Sequence, residues 1–413
     1  MSERPLRFCM ITTFFGAESF GGDAAYVERL SQALLRRGHA VDAIHCPDAF
    51  HAVSRGQGTR AYTPPPGLIV HALRAGLGSL LWTHQTGRLG QHARPLRRII
   101  EAGDYDVIHF HNISLVGGPA LLGLQGRRRA VKLMTVHEWW LMCPLSSLWK
   151  FDREVCRRPQ CIRCTLRAGR PPQLWRLGRS IAKGLDHLDA LLFPSRFALE
   201  MHRAQGLCAR RPICLAHFLP ADWGRSADEP ARREAAGTAS SGRPYFACAG
   251  RLVNEKGFQR LIPSMARLPG VDLKIAGSGP LGGELRKLAA SLPNVQLLGM
   301  LDAPALRELF RGARALIVPS EYYETFGYVV LEAFSTGTPA IVHDNGALPE
   351  LIEASGGGRS YKTDEELIGA MEALACDDAL RERLGEMGRR AVETVWSEQA
   401  HVDAYLDLVR SGD

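Results

Sequence analysis

The stretch VPSEYYETFGYVVLEAFSTGTPAIV, residues 318–342, begins as an apolar strand that runs out at Pro319 and Ser320. A polar loop follows, then a helix expected from about Phe326 to Gly337, then a second strand after Pro339. Strand, loop, helix, strand is the repeat of a parallel α/β sheet, because only a crossover of this length returns the chain to run in the same direction. Two carboxylates mark the segment: Glu324 at the start of the helix, and Glu332 two turns in, inside the apolar run VVLEAF. A carboxylate there is costly to bury unless it accepts hydrogen bonds, which ligand hydroxyls would supply. On the residues alone, a capping Glu324 and a solvent-facing Glu332 are equally open. The N–H groups around Phe326 and Gly327 face the strand's carboxyl end, a place suited to anions, and Gly327 admits close approach to the backbone.

The same alternation extends in both directions. RFCMITTFF, AVDAIHC, DVIHFH, VKLMTVH, ALLFPS and ICLAHF read as strands of a first series; YFACAGRL, LKIAGSG, VQLLGM, ALIVPS and PAIVHD form a second. Between them, residues 220–244 are rich in Ala, Gly, Ser, Arg and Pro without apolar periodicity and read as a linker. A chain of 413 residues exceeds what one core usually serves, so two α/β domains are expected. The last segment has Val402, Tyr405, Leu406 and Val409 at helical spacing.

Lys and Arg outnumber Asp and Glu, 51 to 43, which suits an anionic ligand or an anionic membrane surface. Nucleic acid is disfavoured, since no helix-turn-helix, RNP-type strand or finger spacing is present. The basic runs HARPLRRII, GRRRAVK and LWRLGRSIAKGL lie in the first half and read either as solvated faces or as contacts to a membrane or lipid-linked phosphate. No run of 18 apolar residues and no cleavable leader is seen, so a cytoplasmic location is expected, possible peripheral contact with the inner membrane face included.

Glu324 and Glu332, separated by seven residues, resemble the E-x7-E signature of retaining glycosyltransferases of the GT-B fold, family 4. Companion motifs are CAGRLVNEKGFQRLI with Arg251 and Lys256, IAGSGPL with Gly277, VQLLGML, NGALPELI and FGGDAAYVERLSQALLRRGH. The resemblance spans nearly the whole chain and is most specific over 245–352. It implies an α/β GT-B architecture of two Rossmann-like domains facing across a cleft. The first would cover 1–220, with the terminal helix 395–413 packing back on it, and the second 244–394. It also implies a donor site in which Arg251 and Lys256 bind the diphosphate, Glu324 with Thr325, Phe326 and Gly327 holds the sugar, and Glu332 takes the ribose. Gly21, Gly22 and Gly277 would approach the donor through backbone, and Met300 would meet the nucleobase. His137, at the end of VKLMTVH, is carried over as a positioning group beside the donor sugar. With Glu324, Arg251 and Lys256 it completes the expected catalytic set. His109 and His111 read as hydrogen-bonded core residues, and Asn112, Glu138, Trp139 and Trp140 as the acceptor side.

Two further motifs compete for attention. GSGPLG, 277–282, fits G-x-G-x-x-G, yet it follows the second strand of its unit and contains Pro280, against a dinucleotide fingerprint. Cys143, Cys156, Cys161 and Cys164 are spaced C-x12-C-x4-C-x2-C. Four thiolates are the ligand set of a structural zinc or, alternatively, an iron–sulfur cluster, so a metal staple at 143–164 is expected; four unrelated thiols are the plainer reading. The other six cysteines read as small core residues.

The expected activity is therefore transfer of a sugar from a nucleoside diphosphate sugar to an acceptor hydroxyl with retention, the family needing no catalytic metal. A glycan, a lipid-linked sugar or a small natural product is the expected acceptor. A non-catalytic protein binding sugar nucleotides or lipid phosphates on the same scaffold is the alternative.

Overall fold

The computed structural model describes residues 4–54, 58, 59, 61–127, 129–225 and 242–411. Most of the expected linker, 226–241, lies outside the described residues. The chain divides into two compact units: Met1–Leu148, Pro159–His217 and His401–Asp413 make the first, Trp149–Arg158 and Phe218–Ala400 the second.

The first unit holds seven strands: β1 (Arg7–Ile11), β2 (Ala40–His45), β3 (Leu68–Ala72), β4 (Val107–Phe110), β5 (Val131–Thr135), β6 (Ala190–Phe193) and β7 (Pro212–Cys214). Their order is β3-β2-β1-β4-β5-β6-β7, every pair parallel. β4, β5 and β6 are buried along their whole length, so they read as apolar runs interrupted only by His109, Lys132 and Thr135, which are themselves buried. The order reverses between β1 and β4, and at such a switch point the loops from the strands' carboxyl ends diverge and leave room for ligands. The last helix, Glu398–Arg410, buries His401, Val402, Tyr405, Leu406 and Val409, and from His401 onward it is part of this unit.

The second unit repeats the plan with β8 (Tyr245–Ala249), β9 (Asp272–Ala276), β10 (Val295–Gly299), β11 (Leu316–Val318), β12 (Ala340–His343) and β13 (Gly358–Tyr361), in the order β10-β9-β8-β11-β12-β13, again all parallel. Phe246, Cys248, Leu273, Ile275, Ile317 and Ile341 from the strands pack with Phe258, Leu261, Met265, Leu285 and Met371 in one core.

Besides the short hairpin strands Trp149–Lys150 and Glu154–Val155, two strands of the main sheets escaped the sequence reading, β3 and β13. Both are sheet edges, and a strand solvated along one side needs no continuous apolar run: Ile69 is exposed, and so are Arg359 and Ser360. Among the described residues, no helix is long and apolar enough to cross a membrane.

Candidate functional site

In the second unit the loops after β8 and β11 are joined by backbone before any side chain is considered. The N–H groups of Glu321 and Tyr322 donate to the carbonyl of Glu255 at 2.9 and 3.3 Å. Gly257 (φ +74°) sits so close that an added Cβ would lie 2.0 Å from the Pro319 carbonyl oxygen. Gly346 (φ +66°) packs likewise on the backbone of Glu324, and the Ala347 N–H donates to the Glu324 carbonyl at 3.0 Å. Glycine is required at these positions because the backbones touch.

This framework sets Glu324 against Lys256, 68 residues away. Lys256 Nζ donates to Glu324 Oε1 at 2.6 Å, Ser320 Oγ to the same oxygen at 2.7 Å, and the Tyr322 hydroxyl to Oε2 at 2.6 Å. Lys256 also lies 5.0 Å from the centre of the Tyr322 ring. Glu324 is only 8% exposed. Burial alone would raise its pKa, but the Lys256 ammonium and the three donated hydrogen bonds outweigh it and hold the carboxyl below its ordinary value. It is thus an anion with both oxygens engaged. Arg251 is exposed, close enough for its charge to act on Glu255 and Tyr322. Asn254 Nδ2 donates to Asp152 Oδ2 at 2.7 Å, tying the Trp149–Arg158 hairpin to the same loop.

The helix carrying Glu332 runs Tyr328–Phe334, two residues later than expected. Gly327, at φ +124°, breaks the helical path before it. Glu332 is therefore one turn in and half-buried. Phe326 is buried, while Thr325 and Gly327 are half-buried. An added Cβ on Gly277 would lie 1.9 Å from the Gly250 carbonyl oxygen, so this glycine joins the loops after β8 and β9. Met300, just past edge strand β10, is 67% exposed.

In the first unit, His111 and Asn112 follow β4, and His137 and Glu138 follow β5. His111 Nδ1 lies 3.0 Å from His137 Nε2, and His137 Nδ1 lies 3.3 Å from His217 Nε2. Burial pushes the His137 pKa down to about 3, so these imidazoles are neutral and share one hydrogen per contact. Glu138 Oε1 accepts from Asn112 Nδ2 and Ser146 Oγ, both at 3.1 Å. Burial first, then the charge of Asp23, pushes its pKa up to about 8. A small cavity opens between His111, Asn112, His137, Glu138 and Trp140. Gly21 (φ +88°), with open space where a Cβ would be, precedes the helix Gly22–Arg36.

Two family models match, "Glycosyl transferases group 1" over residues 232–391 and "Glycosyltransferase Family 4" over 20–217. The chain is a group 1, family 4 glycosyltransferase of the GT-B fold. It is 33% identical to the lipopolysaccharide core biosynthesis glycosyltransferase LpsE of Rhizobium meliloti over 41% of this chain and 50% of that protein. Identity to the D-inositol 3-phosphate glycosyltransferase of Pseudarthrobacter chlorophenolicus is 28%, over 94% of this chain and 90% of that protein. The crystal structure of Anabaena HepE in complex with UDP-glucose superposes with a TM-score of 0.69 at 14% identity, over 98% of this chain and 100% of that one, a likeness of fold.

Several expectations about this glycosyltransferase need correction. Trp139, expected on the acceptor side, is 1% exposed and stacked on His202 at 5.4 Å, so its face is taken. Trp140, also buried, does line the cavity together with Asn112 and Glu138. The expected metal staple finds no support: among the described residues no group of three or more His, Cys, Asp or Glu is arranged to hold an ion. Spacing supplied four suitable donors without fixing where they point. Cys156 lies on the segment belonging to the second unit, while Cys143, Cys161 and Cys164 lie in the first. Cys143 and Cys164 lie near enough to Cys161 for their charges to add to burial in raising its thiol pKa. Of the six other cysteines, Cys214 and Cys376 are exposed and Cys208 half-buried; only Cys9, Cys46 and Cys248 are core.

The sequence reading missed Ser320 and Tyr322, although both stand within four residues of Glu324 as hydroxyl donors in the quoted stretch. It also missed Asp152, which nothing in the sequence links to residue 254.

Proposed function

We propose that this glycosyltransferase moves a sugar from a nucleoside diphosphate sugar to an acceptor hydroxyl, with retention of anomeric configuration, in glycan, glycolipid or exopolysaccharide assembly. The observation that carries the reading is the Lys256–Glu324 pair, completed by Ser320 and Tyr322 at the carboxyl ends of β8 and β11. A cation there neutralises a diphosphate, and a permanently ionised carboxylate accepts from sugar hydroxyls.

In this reading Arg251 and Lys256 take the charge that grows on the leaving diphosphate. Glu324, Thr325 and the N–H groups of Phe326 and Gly327 hold the donor sugar, and Glu332 accepts from the ribose. Gly21, Gly22 and Gly277 give backbone approach, and Met300 borders the base. His137, neutral and held through both ring nitrogens by His111 and His217, acts as a positioning group and carries no charge. The bond from the anomeric carbon to the phosphate oxygen breaks while the acceptor oxygen bonds to that carbon on the same face. The acceptor's proton passes to the departing phosphate oxygen, so a nucleoside diphosphate and a glycoside leave. The UDP-glucose complex of HepE, which shares the fold, supports the donor class.

Calorimetric titration with UDP, GDP, ADP and TDP tests the donor site. One nucleotide should bind selectively, and Glu332→Ala should lose it. Folded protein that binds none, and hydrolyses none of the corresponding sugars, would overturn the reading.

A further inference from the structure

The helix Leu77–Thr86 in the first unit is apolar on more than the face it needs. It buries Ser79, Leu80 and Thr83 and leaves Leu77 (74% exposed), Leu81 and Trp82 in solvent. Beside it the short turn Leu174–Leu177 exposes Leu174 and Leu177, the latter by 80%. The two elements are locked together: Trp175 Nε1 donates to the His84 carbonyl at 2.9 Å, and Gln85 Nε2 to the Pro171 carbonyl at 3.5 Å. Five large apolar side chains thus stand on one surface with nothing covering them, more than scattered exposure explains.

The charge around them is predominantly positive, with Asp48, paired to Arg74, as an acidic exception. Residues 61–100 contain five arginines and residues 159–185 six Lys or Arg, and neither segment has an Asp or Glu. Arg88, Arg170, Arg179 and Lys183 are exposed within these segments, and Arg170 and Arg176 lie near enough to His84 for their charges to lower its pKa beyond the effect of burial. A protein partner would have to present a matching acidic face. Protruding leucines and a tryptophan among an excess of cations match the anionic headgroups and acyl boundary of a bilayer. From this surface a continuous stack leads inward, with the Arg176 guanidinium 4.9 Å from the ring centres of both Trp175 and Trp140, and Trp140 lines the cavity beside Glu138.

We propose that the surface formed by helix Leu77–Thr86 and turn Leu174–Leu177 docks on an anionic lipid bilayer and brings the adjoining cavity to lipid-linked acceptors. The second half of this statement rests on the proposed function; the docking does not.

Co-sedimentation with phosphatidylcholine vesicles, with and without phosphatidylglycerol, tests it. The wild-type protein should bind only the anionic vesicles and be released by salt. Leu81→Glu combined with Leu177→Glu should weaken binding by about tenfold or more while donor hydrolysis is unchanged. Vesicle binding without any donor binding or hydrolysis would keep the docking face and sink the transferase reading. Wild-type protein that hydrolyses donor yet ignores anionic vesicles, or binding indifferent to the two substitutions, would overturn the proposal. So would a dimer, seen by sedimentation velocity, that the same substitutions dissolve without any vesicle binding, since a second copy would then cover this face.

Discussion

Lys256→Met tests the central pair through stability, independently of any substrate. Lys256 is 25% and Glu324 11% exposed in their side chains, so the 2.6 Å contact is mostly, though not wholly, shielded from water. A charge-assisted hydrogen bond of this kind contributes on the order of 1.5–3 kcal/mol, and partial exposure favours the lower half, about 2 kcal/mol. For a unit of this size that corresponds to a fall of about 4–8 °C in Tm. The pH dependence is sharper still. Glu324 in the wild-type protein has a depressed pKa, so its contribution is present above the unfolded value of about 4.3 and is lost as pH falls through the folded value. Without Lys256 the burial that raises the pKa is opposed only by Ser320 and Tyr322. Burial then favours the neutral carboxyl, and stability falls as pH rises above the unfolded value of about 4.3. Scanning calorimetry across that value, with Glu324→Gln and the double variant closing a cycle, should give a coupling of about 2 kcal/mol. Additivity within about 0.5 kcal/mol and an unchanged acid limb would refute the reasoning.

Glu324→Gln keeps shape and hydrogen bonds to Lys256 but loses charge, and transfer should fall by about 100-fold or more while the fold persists; near-normal turnover would remove Glu324 from the site. Gly257→Ala drives a Cβ into the Pro319 carbonyl and should destabilise the second unit by about 3 kcal/mol or more, measured by urea titration; a neutral result would mean the two loops are not held together there. Burial holds His401 at about 4, so the folded state resists protonation that the unfolded chain accepts from pH 6.5 downward. Acidification from pH 7 to 5 should therefore cost about 2 kcal/mol through His401 alone, and a flat Tm over that range would contradict its neutral, buried state.

The buried imidazoles are neutral for a reason the first unit makes visible. His401 Nδ1 donates to the Ala216 carbonyl at 2.7 Å, leaving Nε2 to accept from the Tyr26 hydroxyl at 3.0 Å. His109 is held between Thr135 and Tyr405 at 2.8 and 2.9 Å. His401 and His109 thus have their partners without a charge, which would be expensive there.

By itself the sequence determined the α/β alternation, the buried central strands and the short-range parts of the donor motif. These depend on local period and on residues a few positions apart, such as Gly327 beside Glu324. It determined the charge asymmetry too, since composition is not altered by folding. Only tertiary structure decided which chemical groups meet. Lys256 reaches Glu324 because Gly257 and Gly346 let three loops touch through backbone, and Tyr405 reaches His109 across 296 residues of chain. Side-chain direction was decided there as well. It buried Trp139 against His202, and it turned Leu81 and Leu177 outward to water. Spacing along a chain names the donors and the faces, whereas direction depends on what packs behind each residue, and that lies far away in sequence.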